Sequence, residues 1–300
     1  MSLYGRPDYA RTCRHLGVPR TLPRSGVNVL VRPIAGEAET FDACAPYPLL
    51  HVPDWRAFAA DLEAIDDLVS LVAVVDPACA PGRDVLATVF RDRLLAFKPH
   101  HLVRLDPSAP LAHVHPEHRR RARRAAERVE VEVVESPGAH AFDWVRLYGG
   151  LRARHGIRGA ADFPEAALAA QLELPGMMLV RAVQDGRTIS IATWCVSGER
   201  AHYHLGASDD QGYAAQAAYA VFAVSLPALA ARGVTWIDLG GAAGGVAVED
   251  GLARFKRGWA NDVADAWLGG RVLAPQHYAR LVHGRASGTW FPAYRAAVAA

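Results

Sequence analysis

Lys256 sits where a cation could do chemistry. It belongs to Gly251-Leu-Ala-Arg-Phe-Lys-Arg-Gly-Trp259, a short basic amphipathic turn that follows the β-branched and aromatic run Trp236-Ile-Asp-Leu-Gly-Gly241. A strand ending at an acid and a glycine pair leaves backbone groups at its tip, and the turn carries the ammonium of Lys256 back towards them. Cation and strand-end dipoles converging in this way can hold the oxyanion of a tetrahedral intermediate, so the pattern suits acyl transfer. Asp238, inside the same run, could orient an attacking amine or take its proton. His202 and His204 alternate with Tyr203 on one strand and therefore share a face, where His204 is either a general base or polar wall of a cleft or a satisfied structural histidine. Tyr203, Gly206 and Phe255 are expected to line the cleft around these groups.

Two further stretches could hold anions. Ser208-Asp-Asp-Gln-Gly-Tyr213 enters a helix through a glycine, and the amides around Gln211 and Gly212 could receive a phosphate or carboxylate. The alternative is an ordinary helix entry capped by Asp209 or Asp210. In His118-Arg-Arg-Arg-Ala-Arg-Arg-Ala-Ala-Glu-Arg128 the helical period gathers Ala122, Ala125, Ala126 and Val129 in one sector and fans the arginines over the rest. Arg123 and Arg124, with Arg254 and Arg257, are the expected phosphate contacts, on tRNA or on a nucleotide-bearing substrate; the alternative is a solvated helix face.

Other chemistries lack their patterns. His113, His115 and His118 are dense enough for a metal, but no flanking carboxylate or thiolate completes a site and Pro116 interrupts the helix that would align them, so no metal is expected. Gly240-Gly-Ala-Ala-Gly-Gly245 is not spaced as G-x-G-x-x-G, no Lys-Ser/Thr pair follows it, and no G-x-S-x-G elbow occurs. Cys13, Cys44, Cys79 and Cys195 form no C-x-x-C pair, which points to separate reduced thiols. With 33 basic and 31 acidic residues the net charge is +2, so any polyanion must be held by a local patch. The opening Met-Ser-Leu-Tyr-Gly-Arg-Pro has no apolar signal region, and the uncharged stretch from Tyr213 to Ala231 is rich in alanine and carries Gln216, Ser225 and Pro227. A buried helix and a cytoplasmic protein, with no membrane partner, are expected.

The elements that must position these groups alternate. The sequence predicts strands over Val27–Pro33, Leu68–Val75 and His101–Leu105, with a helix over Trp55–Ile65 entered at Asp54 and helical spacing from Val85 to Phe97. Tight turns then separate strands at Met178–Val183, Thr188–Val196 and Ala201–Ala207, an antiparallel meander. A long helix from Ala214 to Arg232, closed by Gly233, leads into the strand Val234–Leu239. The fold class is therefore α/β, an α+β mixed sheet.

Meander, glycine-bearing loop, helix, Ile237-Asp-Leu-Gly-Gly241 and Gly251-Leu-Ala-Arg-Phe-Lys-Arg-Gly-Trp259 together resemble the Fem-like branch of the GNAT acyltransferase superfamily. Ala45-Pro-Tyr47, Val69 to Pro77, Leu102-Val-Arg-Leu-Asp106 and Arg119 to Ala125 look like that branch's degenerate N-terminal copy and its arginine-rich helix. The resemblance, from about Val27 to Leu268, implies two tandem GNAT-like folds: a degenerate domain over 1–145, a catalytic domain over 146–270, and a segment 271–300 packing back on the first. It implies transfer of an aminoacyl group from aminoacyl-tRNA to an amine by direct attack, with Lys256 stabilising the transition state and no bound cofactor. Two departures shape the expectation. No long charged heptad segment is present, so a small molecule or short peptide is expected as acceptor rather than peptidoglycan. The helix entry only echoes, in Gln211 and Gly212, the phosphate loop of ordinary GNAT enzymes, which makes acyl-CoA the alternative donor and a non-catalytic module for an acidic partner the second alternative.

Overall fold

The computed structural model describes residues 2–242, 251–284 and 290–296. In chain order the elements are α1 (Pro7–Thr12), β1 (Val18–Thr21), β2 (Asn28–Pro33), β3 (Phe41–Cys44), α2 (Trp55–Ala64), β4 (Ser70–Val74), α3 (Arg83–Val89), β5 (Arg93–Arg104), α4 (Pro116–Ala126), β6 (Glu130–Val134), α5 (Ala141–His155), α6 (Glu165–Leu172), β7 (Met177–Gln184), β8 (Arg187–Ser197), β9 (Arg200–Ser208), α7 (Asp210–Ala215), α8 (Ala217–Ala230), β10 (Trp236–Asp238), α9 (Gly251–Arg257), β11 (Asp262–Val272) and α10 (Pro275–Val282). The chain forms two units, Leu3–Phe97 together with the chain from Asp265 on, and Lys98–Ala264.

In the first unit the strands run in the order β1-β2-β3-β4-β11, antiparallel except for the parallel pair β3/β4. Leu71, Ala73 and Val75 of the buried strand region pack with Phe58, Leu62, Leu86 and Phe90 from α2, α3 and the turn after it. Asp54 caps α2, its carboxylate accepting from the amides of Arg56 and Ala57, as the sequence predicts. After α10, Tyr294 joins Ile34 and Val69 in a small cluster, and its hydroxyl donates to Asp42 at 2.9 Å.

In the second unit the order is β5-β10-β9-β8-β7-β6, again antiparallel except for one pair, β10/β9. The strand order of each unit thus contains one parallel pair. On one face of this sheet α4 and α8 bury Ala122, Ala125, Ala220, Phe222, Leu226 and Leu229 over Val103, Trp194, Ala201 and Ile237. On the opposite face α5 covers β8 and β9 with Trp144, Leu147 and Tyr148.

Four local expectations change. Residues 93–97 are strand, not helix: α3 stops at Val89 and the chain turns at Arg91-Asp92 into the long β5. The long helix breaks at Gln216, whose backbone is left-handed (φ 55°) and whose amide closes α7 on the carbonyls of Gly212 and Tyr213, so α8 begins only at Ala217. Ala126 is exposed, because the buried stripe of α4 runs through His118, Ala122 and Ala125. The units divide at 97/98 and 264/265 instead of 145/146 and 270/271, and the Arg-rich helix lies in the second unit because its alanines share a core with α8.

Candidate active site

β10 is only three residues long, and its end gathers the chemistry. Its Ile237 faces the α4/α8 core, so Asp238 must point the other way, where it is buried. Asp238 Oδ2 lies 2.7 Å from His100 Nδ1, and Oδ1 accepts from the amide of Gly240 at 2.6 Å. Burial would raise the carboxyl pKa, but the charge and hydrogen bond of His100, the charge of His202 and the Gly240 amide together hold it below the ordinary aspartate value. Both oxygens are thereby committed to bracing the strand end, which corrects the expectation that Asp238 meets the amine directly.

The two glycines after Leu239 are needed for different reasons. Gly240 has φ +77°, in the region that favours glycine, and a Cβ there would stand 3.1 Å from Lys256 Nζ. A Cβ on Gly241 would fall 2.6 Å from Lys98 Cδ and 2.8 Å from the carbonyl of Pro99. We expect Gly240→Ala to cost about 1–2 kcal/mol of backbone strain and to lower turnover further by pushing the ammonium aside, seen as a lower urea midpoint and a lower kcat.

Lys256 is itself buried at 7 % exposure, on a face that it shares with the core. Its Nζ donates to the carbonyl of Gly241 at 2.7 Å and lies 5.8 Å from the centroid of the Tyr203 ring. A lysine held this far out of water contributes more to a developing negative charge than an exposed one would. Its helix is anchored by aromatic packing: the partly buried Phe255 meets Phe222 at 4.8 Å and Tyr219 at 5.0 Å and so fixes α9 on α8.

A β-bulge brings Tyr203 and Gly206 together. Trp194 pairs with Tyr203 but Thr193 pairs with Leu205, which leaves His204 as the extra residue of β9. Tyr203 and Gly206, three residues apart, therefore lie opposite Trp194 and Ala192 on one face, and a Cβ on Gly206 would be 2.1 Å from the Tyr203 hydroxyl. Burial pushes the Tyr203 phenol well above its usual range, so it stays protonated as a donor.

His204 is turned to the other face. Its Nε2 lies 3.1 Å from Gln171 Oε1 of α6 and its ring 6.2 Å from that of Phe163, whereas Tyr203 packs against Phe222 of α8 at 4.9 Å. The structure thus separates His204 from Lys256 instead of joining them. Burial, with the neighbouring His202, pushes the imidazole pKa down to about 3, so it is neutral at pH 7 and too weak a base to serve there. An unfolded histidine titrates near ~6.5, so this group's stabilisation is complete above that value and drains away as pH falls towards the folded pKa. At pH 4.5 the loss is roughly 2–3 kcal/mol. The acid-induced drop in urea midpoint between pH 7 and 4.5 should shrink in His204→Gln.

The remaining expected groups separate into docking and exposed residues. Gly212 donates its amide to Asp209 Oδ1 at 3.0 Å, and a Cβ there would meet the carbonyl of Ile189 at 2.3 Å; Asp209 caps α7 while Gln211 is exposed. His113 Nε2 donates to the Trp259 carbonyl at 3.0 Å, His118 Nε2 to the Phe255 carbonyl at 3.1 Å, and the His115 amide to the Gly258 carbonyl at 2.9 Å. The histidines ahead of and within α4 therefore dock that helix to α9 and the residues that follow it. Arg121 is tied to Glu117, but Arg123, Arg124, Arg254 and Arg257 are exposed on these two docked helices. Ala243, Gly244 and Gly245 of the glycine-rich run lie outside the described residues. Sequence reasoning missed His100 and His101, because nothing near them in the chain marks β5 as the neighbour of β10.

The Acetyltransferase (GNAT) domain family matches residues 114–257. No curated relative matches the sequence. Among solved structures, one described as FemX superposes with a TM-score of 0.69 at 13 % identity, covering 93 % of this chain and 94 % of its own. The C-terminal domain of a putative lysylphosphatidylglycerol synthetase from Agrobacterium fabrum gives 0.60 at 16 % identity over 93 % and 91 %. A structure described as L-PGS from Bacillus licheniformis gives 0.56 at 12 % identity over 89 % and 92 %. Among the described residues no helix is long and apolar enough to cross a membrane. Residues 114–257 thus match a GNAT acetyltransferase domain, and the chain as a whole has the fold of the structure described as FemX.

Proposed function

We propose that this protein is a cytoplasmic N-acyltransferase that passes an aminoacyl group from aminoacyl-tRNA to the amine of a small molecule or short peptide. The observation that carries this is the burial of the Lys256 ammonium at the end of β10, against the Gly241 carbonyl and over the Tyr203 ring. The amine nitrogen adds to the ester carbonyl, the carbonyl oxygen becomes an oxyanion beside Lys256, and collapse expels the ribose hydroxyl. The test is turnover by purified protein with a pool of charged tRNAs, acyl-CoAs and candidate amines, read by mass analysis. Ribonuclease should abolish transfer; transfer from an acyl-CoA that survives ribonuclease would replace the tRNA donor in this proposal.

Exposed arginines on two docked helices supply the phosphate contacts. Arg123→Glu combined with Arg124→Glu should weaken tRNA binding and flatten its salt dependence. Each lost contact removes about 0.7–0.9 from the log–log slope, so about 1.4–1.8 for the pair. Filter binding across a salt series from about 50 to about 300 mM measures it, and an unchanged slope would remove α4 from the interface.

A further inference from the structure

The reaction needs a group that takes a proton from the attacking amine, and Asp238 and His204 are both placed elsewhere. β5 offers another. His101 is locked beside the end of β10 by two backbone hydrogen bonds, its amide donating to the Gly240 carbonyl at 3.2 Å and its carbonyl accepting from Leu239 at 2.9 Å. Side chains alternate along a strand, so His101 shares a face with Val103 and Leu105, both in the α4/α8 core, while His100 shares the opposite face with Asp238. The face of His101 is also the face of Tyr203 and Lys256. Tyr203 on β9 and His101 on β5 flank β10 at two strand spacings, about 10 Å, with the ammonium of Lys256 over the strand end between them.

The ring of His101 also differs from its neighbours. His100, His113, His118 and His204 each make a ring hydrogen bond that fixes a structural role. The half-buried His101 makes none among the described residues, and its Nδ1 is buried without a partner. A polar ring left unsatisfied beside a strand end and a buried cation is what a substrate group would complete.

We propose that His101 is the general base of the transfer, accepting the proton of the acceptor amine next to the oxyanion held by Lys256. The assignment rests on the acyl transfer proposed above. As the nitrogen–carbon bond forms, the amine becomes an ammonium far more acidic than before; His101 takes that proton, and when the carbon–oxygen bond breaks it passes the proton to the departing alkoxide. Amine and ester become amide and alcohol, and the imidazole is regenerated. Burial, the charges of Lys256 and Arg257 on α9, and His100 all lower the His101 pKa, while Asp238 opposes them. The ring is therefore neutral at pH 7, and the acid limb of activity lies below the ordinary histidine value of about 6.5.

The test uses the donor and acceptor found in the pooled assay. His101→Gln should lower kcat by ~10²- to 10⁴-fold at pH 7 with KM for the acceptor little changed, and the acid limb of log kcat against pH should vanish. The limb from the acceptor's own amine should remain, and added imidazole should restore part of the rate. Lys256→Ala should slow turnover but keep the acid limb, which separates the two roles; a His101→Asn variant with the same outcome and a wild-type melting curve excludes misfolding. Wild-type rate and profile in His101→Gln, while the unaltered protein transfers, overturns the assignment of His101 alone. No transfer by the unaltered protein from any donor overturns the acyl-transfer proposal and this one with it.

Discussion

Replacing Lys256 by alanine is expected to lower kcat by ~10²- to 10³-fold with little change in KM, a loss of about 3–4 kcal/mol of transition-state stabilisation. The ammonium sits at the end of β10 through a hydrogen bond to the Gly241 carbonyl and through its place over Tyr203. Neither contact needs a substrate, so the cation is in position before the oxyanion forms and need not reorganise when it does. Single-turnover rates with the accepted donor measure the effect. Lys256→Arg keeps the charge but spreads it over a larger planar group, in a space where even a Cβ on Gly240 would stand at 3.1 Å, so it should recover little activity. A wild-type rate in Lys256→Ala would remove the lysine from the chemistry.

The largest effect on stability should come from Asp238→Ala. Removing the charged acceptor of a buried hydrogen bond costs about 1–3 kcal/mol or more, because the donor is left unpaired away from water. Here the group left behind is His100, 2.7 Å from the missing oxygen, and the Gly240 amide loses its acceptor as well. Urea unfolding at pH 7 should show this loss, and kcat should fall too, since Gly240 and Gly241 would no longer be held where Lys256 needs them. The pH dependence has a definite sign. The folded carboxyl titrates below its unfolded value of about 3.9, so its contribution is complete above that value and is lost as pH falls through the folded pKa. The gap in stability between the unaltered protein and Asp238→Ala should therefore close only in strong acid, and a gap that closes near pH 6 would overturn this assignment.

Local pattern alone marks much of this protein. The meander β7-β8-β9 is legible because each turn carries glycine, and the entry to α2 because Asp54 precedes an amphipathic run. The strand Trp236-Ile-Asp, its glycine pair and the helix of Lys256 are close together in the chain, so their types and spacing already bring a cation to a strand end. The partners that complete the end of β10 are hidden. β5 pairs with β10 from far upstream, and no local spacing states which of two distant strands will be neighbours; His100 and His101 are functional candidates only through that pairing. Strict alternation puts Gly206 on the face of His202 and His204, away from Tyr203, whereas the bulge that places Tyr203 beside Gly206 is a property of the β8/β9 register. His113, His115 and His118 have the density of a metal site, and what they do, docking α4 on α9 and its exit, depends on carbonyls more than a hundred residues away. Residue type and short-range period determined which groups this chain could use, whereas strand pairing and helix docking, which are long-range contacts decided by burial, determined which of those groups meet.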